Sequence, residues 1–453
     1  MLGKSPNQSQ KNLFSPVLKE IINPQEPLAQ LADRIPWQDL ENDLSKFYSH
    51  TGTPSMPIRL MAGLLILKRL YNFGDESIVD QWIQNPYYQY FCGEAEFQWH
   101  FPCDPSDLVH FRKRIGEEGV ELIFKMSIDV QKEDVQGTDL LVDTTVQEKN
   151  ITFPTDSKLY DKIIKKTLKI AEKEEITLRQ SYRRTTKRLK TQLRFAHHPK
   201  RRKEARAAKR RLKTIAGRLT REIERKLPAE RLSIYLPDID LFKKVLLQQK
   251  TDKNKIYSLH EPHTSCIAKG KTHKKYEFGS KVSFAVIPGQ NIIVGVVNFQ
   301  GNPHDSVTLE PTLEHTQKMT GKSFTNAICD RGYRGKKKVG QTNVIIPGNS
   351  AGRSKYEKRK RRVKCRSRAA IEPIIGHVKH DCRMVRNYLK GQIGDKINAL
   401  MAAAGFNFRR LLRKMKAEVI FFFFQIQKIL NPKPSLAPKL IRMSYIPSLK
   451  VSF

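Results

Sequence analysis

The sequence predicts an α/β protein: a mixed sheet flanked by helices, carrying a basic helical insertion and preceded by an all-α N-terminal region. Three observations lead there. Apolar residues recur at helical intervals between Met56 and Val130. Short β-rich runs then appear at Leu140–Val146, Lys281–Ile287, Ile292–Phe299, Thr325–Cys329 and Asn343–Ile346, with helical stretches among them. Residues 161–230, which separate the first run from the second, hold 25 Lys and Arg against 8 Asp and Glu. Helices alternating with strands pack on a central sheet.

Taking the elements in order, Leu60, Leu64, Leu67 and Tyr71 share one helical face, Gly74 closes that run, and Asp75 is placed to cap the next, which Asn85-Pro86 stops. Ser106 is placed to cap a helix through Ile115, Gly116 breaks it, and Val120 to Val130 resumes the spacing. Paired helices with glycine turns suit a DNA groove; a plain helical bundle with solvated charges is an equally good reading. The basic segment reads as two long helices broken near His197-His198-Pro199, an arm to lie over DNA. Pro288-Gly289-Gln290-Asn291 between two apolar runs predicts a hairpin, and a helix follows from about Ser306 to Met319. The strand Thr325–Cys329 ends at Asp330, and the strand Asn343–Ile346 stops at Pro347.

Charge narrows the function. With 83 Lys and Arg against 45 Asp and Glu, the 453-residue chain carries +38, and its natural partner is a polyanion. Cys92, Cys103, Cys266, Cys329, Cys365 and Cys382 are scattered without a C-x-x-C pair, which argues against a disulfide framework and for a reducing cytoplasm. His260, His263 and Cys266 lack a fourth ligand at a familiar spacing, so no zinc site is read there. The run Val419 to Phe424 is too brief to span a bilayer, and the start MLGKSPNQSQKN lacks a signal-peptide core; no membrane partner is expected.

The chemistry is concentrated in CRSRAAIEPIIGHVKHDCRM. Arg368, Glu372 and Lys379 fall at R-x3-E-x6-K, offsets that return to nearly one helical face, so a carboxylate stands between two cations. Pro373 makes the helix begin within a turn of Glu372, with Arg368 preceding it. Two more acids, Asp143 and Asp330, lie within or just past β-type runs. Phosphodiester hydrolysis and strand transfer need an activated hydroxyl, a stabilised leaving oxygen and neutralised charge, which two divalent ions about 4 Å apart supply. Mg2+, with Mn2+ as a substitute, prefers carboxylate oxygens. Asp143, Asp330 and Glu372 are therefore the expected catalytic and metal-binding trio. Arg368, Lys379 and Arg331 are expected on DNA. Lys271, Lys274, Lys275 and Lys281 around Tyr276 and Phe278 form an expected DNA-facing strip.

LLVDTTVQEKNITFPTD, KIYSLHEPHTSCIAKGKTHKKYEFGSKVSFAV, AICDRGYRG and RSRAAIEPIIGHVKHDCRM resemble the successive blocks of bacterial insertion-sequence transposases of the DDE type, near the IS-five-like group. PIRLMAGLLILKRLYNFGDESIVDQW and DPSDLVHFRKRIGEEG resemble their N-terminal domain, so the likeness covers about residues 50 to 412. It implies a ribonuclease-H-like core that cleaves element ends and joins the 3′-hydroxyl to target DNA. Asp143, Asp330 and Glu372 would be its acids, in that order, and Arg368 and Lys379 the R and K of a Y-x2-R-x3-E-x6-K signature whose tyrosine is here Cys365.

Together these readings give a helical DNA-binding domain (1–135), a catalytic domain (136–415) with the basic insertion at about 158–230, and a tail (416–453). They predict a transposase on double-stranded DNA, both element ends and target, acting as a homo-oligomer in the bacterial cytoplasm at the nucleoid. The rival expectation is a catalytically inactive, transposase-derived DNA-binding protein, which would tolerate loss of the acids.

Overall fold

A computed structural model describes residue 3, residues 15–249, 251–268, 274–348, 352 and 354–430, with the backbone alone for 421–430. Lys271 and the tail beyond residue 430 lie outside the described residues. Helices come first: α1 (Leu18–Ile21), α2 (Pro27–Arg34), α3 (Trp37–Ser45), α4 (Ile58–Leu70), α5 (Asp75–Gln84), α6 (Pro86–Phe91) and α7 (Pro105–Asp129). Every residue of α4 except Arg59 is buried, as its apolar run requires. Two caps differ from expectation. Asp104, not Ser106, caps α7 in a capping box with Asp107, because Pro105 fills the first helical position where no N–H is needed. Asp75 lies inside the first turn of α5, and its carboxylate instead receives both Arg112 nitrogens at 2.8 Å and Lys68. Gly116, at φ 58° and ψ −154°, kinks α7 without ending it.

Strand β1 (Asp139–Lys149) leads into the basic region, which holds three helices rather than two: α8 (Asp156–Lys173), α9 (Arg183–Leu193) and α10 (Arg202–Lys226), with α11 (Ala229–Leu247) following them. The extra break falls at left-handed Glu175 and Tyr182, and Pro228 separates α10 from α11; the expected break at Pro199 is a single 3-10 turn. These helices close over their own core, in which Leu159, Ile163, Leu212, Leu219 and Phe242 meet.

The chain returns as β2 (Ser265–Ala268), β3 (Tyr276–Ile287), β4 (Ile292–Phe299), α12 (Asp305–Thr320), β5 (Asn326–Ile328), β6 (Lys338–Val339), β7 (Thr342–Ile345), α13 (Lys355–Ser367), α14 (Ile371–Asp381), β8 (Arg386–Asn387) and α15 (Gly391–Leu430). The sheet runs β2-β3-β1-β5-β7-β6, with β4 beside β3 and β8 beside β1. β1, β3 and β4 are mutually antiparallel neighbours, whereas β5 is parallel to β1 and β7 parallel to β5. Gly289 and Asn291, both at positive φ, make the expected hairpin turn.

On the side away from β3, β1 pairs with β5 only through Asp139–Leu141 and with β8 only at Glu148 and Lys149. Among the described residues no strand covers residues 142–147 on that side, and α14 packs there instead. The long helix α15 seals the back: Asn407 bonds Ser127 of α7 and both backbone groups of Ile293 in β4. N-terminal helices and sheet therefore share one continuous core from Leu18 to Met415, and the expected boundary near residue 135 falls within it.

Candidate active site

Register brings the first two acids level. Leu141 pairs with Ile328 in the parallel β1/β5 ladder, and two residues further along each strand stand Asp143 and Asp330. Asp330 lies just past the strand, where its Oδ1 accepts the Gly332 N–H at 2.8 Å and caps a 3-10 turn. Asp143 lies within β1, opposite Phe284 of β3, and its Oδ1 accepts the Thr144 N–H at 2.7 Å. Between them is buried Cys329, whose thiol is pushed up by burial first and then by the carboxylates of Asp330 and Asp143.

Glu372 arrives from the helical side. Pro373 lacks the N–H that would continue the ladder, so the chain passes from α13 through a 3-10 turn at Arg368–Ala370 into α14, which starts at Ile371. The expected start within a turn of Glu372 is what is observed, and Arg368 precedes the helix. Arg368 then lies between two acids: its Nη2 is 3.2 Å from Glu372 Oε1 and its Nη1 3.8 Å from Asp143 Oδ2. The Glu372 side chain is 64 % exposed and that of Asp143 18 %. Lys379 sits half-buried lower on α14, its carbonyl accepting the N–H groups of Met384 and Val385 at 3.1 Å. Arg331 is exposed beside Asp330, and half-buried Cys365 lies one turn before Arg368.

A fourth acid was not read from the sequence. Asp305, in the first turn of α12, takes the Thr144 hydroxyl at 2.8 Å and the Lys281 ammonium at 2.9 Å on Oδ1. A Cβ at Gly332 would meet Asp305 Oδ2 at 2.6 Å and Asp330 Oδ1 at 3.0 Å, so the two carboxylates approach across that glycine. An acid in the first turn of a helix is a common dipole partner, and nothing in the sequence sets this one apart.

Lys281 differs from its expected place. It is 8 % exposed, and its ammonium also donates to the Pro303 carbonyl at 2.7 Å, so it does not belong to an outward strip. β3 is buried on both faces from Gly279 to Ile287, which leaves the residue little access to solvent. Lys274 and Lys275 are on the surface, Lys274 paired with Glu148 and Lys275 over the Tyr276 ring.

Carboxylate oxygens are the donors that small divalent cations prefer, and the gap beside β1 gathers them with a guanidinium already among them. Among the described residues no three His, Cys, Asp or Glu side chains stand close enough for a finished cage. His263 is committed elsewhere, 3.2 Å from Asp395 and 3.4 Å from Glu261.

A mixed sheet with acids level on two parallel strands, a third on an adjoining helix and a strongly basic surface defines a class of protein that acts on nucleic acid. Residues 16–114 match the family described as Transposase domain (DUF772), and residues 250–408 match the Transposase DDE domain. The chain belongs to the bacterial insertion-sequence DDE transposases. It is 40 % identical over 205 residues to an uncharacterized protein, ORF8 in the nfe locus, of Rhizobium meliloti; that stretch is 44 % of this chain and 98 % of the relative. No solved structure matches it. Enzymes of this family generally use divalent metal ions, and DNA is the partner the family implies.

Proposed function

We propose that this transposase binds the ends of its own insertion sequence, cuts there, and transfers the strand into target DNA, with Asp143, Asp330 and Glu372 as the acids that hold two Mg2+ ions. The observation that carries this is the level placement of Asp143 within β1 and Asp330 just past the parallel β5, with Arg368 spanning from Asp143 to Glu372. The sheet is read as ribonuclease-H-like, an antiparallel β4-β3-β1 meander continued by parallel β5 and β7.

The chain's own groups have distinct tasks. The three carboxylates bind the ions. When bound, divalent ions make an attacking hydroxyl more acidic and neutralise charge at phosphorus. Arg368 stands between Asp143 and Glu372, where its guanidinium can take two oxygens of a phosphate at once. Lys379 and Arg331 supply further positive charge on the same side. Lys281 is assigned to positioning: it fixes Asp305, which with Thr144 braces β1 against the Asp330 turn. The basic helices α8 to α10 serve as an arm along DNA, and residues 1–135 as the end-binding part. Two ends must be brought together, which calls for a homo-oligomer.

The test is cleavage of DNA carrying the sequence that flanks this gene, in Mg2+. Asp143→Asn or Asp330→Asn abolishes cutting and leaves binding within about twofold. Cutting retained by either variant would overturn the assignment, and cutting without joining would reduce the function to that of a nuclease.

A further inference from the structure

One large cleft of the described residues is not at the acids. It encloses about 1060 Å3 between the N-terminal helices and the start of α15, with walls from residues 68–117 and 383–398. Seven cations and three carboxylates line it. Two of those carboxylates are already neutralised: Asp75 by Lys68 and Arg112, and Glu117 by Lys396 at 2.7 Å.

Its inner wall carries positive charge in excess. Lys68, Arg69 and Arg112 are all buried, yet Asp75 is the acid that serves them. Arg69 donates to two neutral oxygens, the Cys382 carbonyl at 3.1 Å and Asn398 Oδ1 at 2.8 Å. Buried charge without a counterion is costly, and an anion in the cleft would relieve it. Burial, and after it the charge of Arg69, pulls Lys68 down to about 7. The residues that open α5 and α15 also line the cleft, turning two helix N-termini toward it.

The outer rim has a second character. Tyr388 is 62 % exposed, with the Arg383 guanidinium 6.0 Å from its ring centre. Val109, Leu389 and Ile393 add apolar surface, and exposed Lys113, Arg386 and Lys390 stand around them. Duplex DNA hides the faces of its bases. An unpaired nucleotide offers a flat apolar face and a phosphate together, and this rim provides for both.

The cleft also lies along the path from the acids. The bonds from Lys379 to Met384 and Val385 turn the chain from the end of α14 directly into the cleft wall. Glu372 to Asp381 spans about 14 Å at 1.5 Å per residue. That is the length of about four base pairs of duplex at 3.4 Å each, and of fewer unpaired nucleotides, which can extend further.

We infer that this cleft holds an unpaired stretch of DNA a few nucleotides from the cut, its phosphates against Arg386, Lys390 and the buried cations and one base stacked on Tyr388. The inference rests on the proposed DNA-end function and names where a frayed or single-stranded terminus goes.

The test uses the full chain in EDTA, without catalysis, and measures fluorescence anisotropy with a blunt duplex and with the same duplex bearing a four-nucleotide single-stranded overhang. The overhang should bind about tenfold tighter, within the range that one base stacked on an aromatic ring provides. Tyr388→Ala should lose most of that preference and Tyr388→Phe keep it, with blunt binding unchanged in both. Arg386→Ser with Lys390→Ser should lower the salt slope for the overhang by about 1.4, or 0.7 per lost single-strand phosphate contact. No overhang preference in the wild type, or a preference that survives Tyr388→Ala, overturns the inference even if the protein cuts blunt ends. Failure of the Asp143 variant to abolish cutting overturns the catalytic assignment and leaves the binding result standing.

Discussion

Arg368 reaches Asp143 and Glu372 with different nitrogens of one guanidinium, so the cation that stands between the acids is part of the chain itself. A divalent ion must compete with it. Arg368→Ala should therefore bind Mn2+ more tightly by titration calorimetry and yet cleave about a hundredfold more slowly, since a preorganised donor to the reacting phosphate is lost. Weaker metal binding together with normal cleavage would show that Arg368 neither competes nor contacts phosphate.

Gly332 is where two carboxylates approach each other. A methyl group there would sit 2.6 Å from Asp305 and 3.0 Å from Asp330, and the backbone offers no alternative because Gly332 N–H is bound to Asp330. Gly332→Ala is expected to lower single-turnover cleavage by at least about tenfold, the penalty of displacing a ligand by a fraction of an ångström. Duplex affinity and melting temperature should change little. Asp305→Asn should behave the same way, since a neutral amide removes the charge that holds the half-buried Asp305 to the Lys281 ammonium.

Lys149 lies at the far end of β1 and joins three segments. Its ammonium meets Asp395 at 2.7 Å, Glu261 at 3.3 Å and the Gly391 carbonyl at 3.1 Å, with both carboxylates buried. Asn387 of β8 donates to the same Asp395 at 2.6 Å. Lys149→Met leaves two buried acids facing each other, and breaking such a pair costs about 3 to 5 kcal/mol. Urea denaturation should show this as a lower midpoint with unchanged slope. A loss under about 1 kcal/mol would mean that His263 or water takes over the lysine's part.

Acid should reveal Asp75. Burial alone would raise its pKa, but the hydrogen bonds from Arg112 and the charge of Lys68 overcome that and hold it well below the ordinary 3.8. A carboxyl depressed in the folded state stabilises it above the unfolded pKa, and that stability is lost as pH falls toward the folded value. Asp75→Asn should thus be less stable than wild type at pH 7, and the difference should narrow once the pH drops below about 3.8. A gap that stays constant to pH 3 would place the effect in packing instead of charge.

How much of this was legible in the sequence depends on length and punctuation. The acids of β1 and of the turn after β5 could be found because apolar runs frame them, and Pro373 marked the start of α14 correctly. Strands β2, β6 and β8 are four, two and two residues long, too short for alternation to register. Glu175 and Tyr182 break the basic region in left-handed conformations that usually favour Gly or Asn, so no residue type announced the extra helix. Lys281 misled because a lysine in a strand ordinarily marks an edge, whereas here a half-buried carboxylate partner lets it lie inside. Asp305 was invisible because its importance lies in what it touches from 161 residues away.

The basic arm offers the prediction least entangled with catalysis. On α10, Lys203, Arg206, Arg210, Lys213 and Arg221 are exposed and recur at spacings that keep them on one face, while Leu212, Ile215, Ala216 and Leu219 turn inward to the arm's own core. From Lys203 to Arg221 the stripe is about 27 Å long at 1.5 Å per residue, or roughly eight base pairs at 3.4 Å each. A solvated face would tolerate its loss. If the stripe follows a duplex backbone, Arg206→Ser, Arg210→Ser and Lys213→Ser combined should reduce the log-log salt slope of duplex binding by about 2.7, at 0.9 per phosphate contact, and weaken binding equally for element-end and unrelated sequences. Because the arm's core is separate from that of the sheet, the triple variant should melt like the wild type. Cleavage of saturating DNA should also be unchanged, since the acids are untouched. An unaltered slope would show that the stripe only solvates the arm.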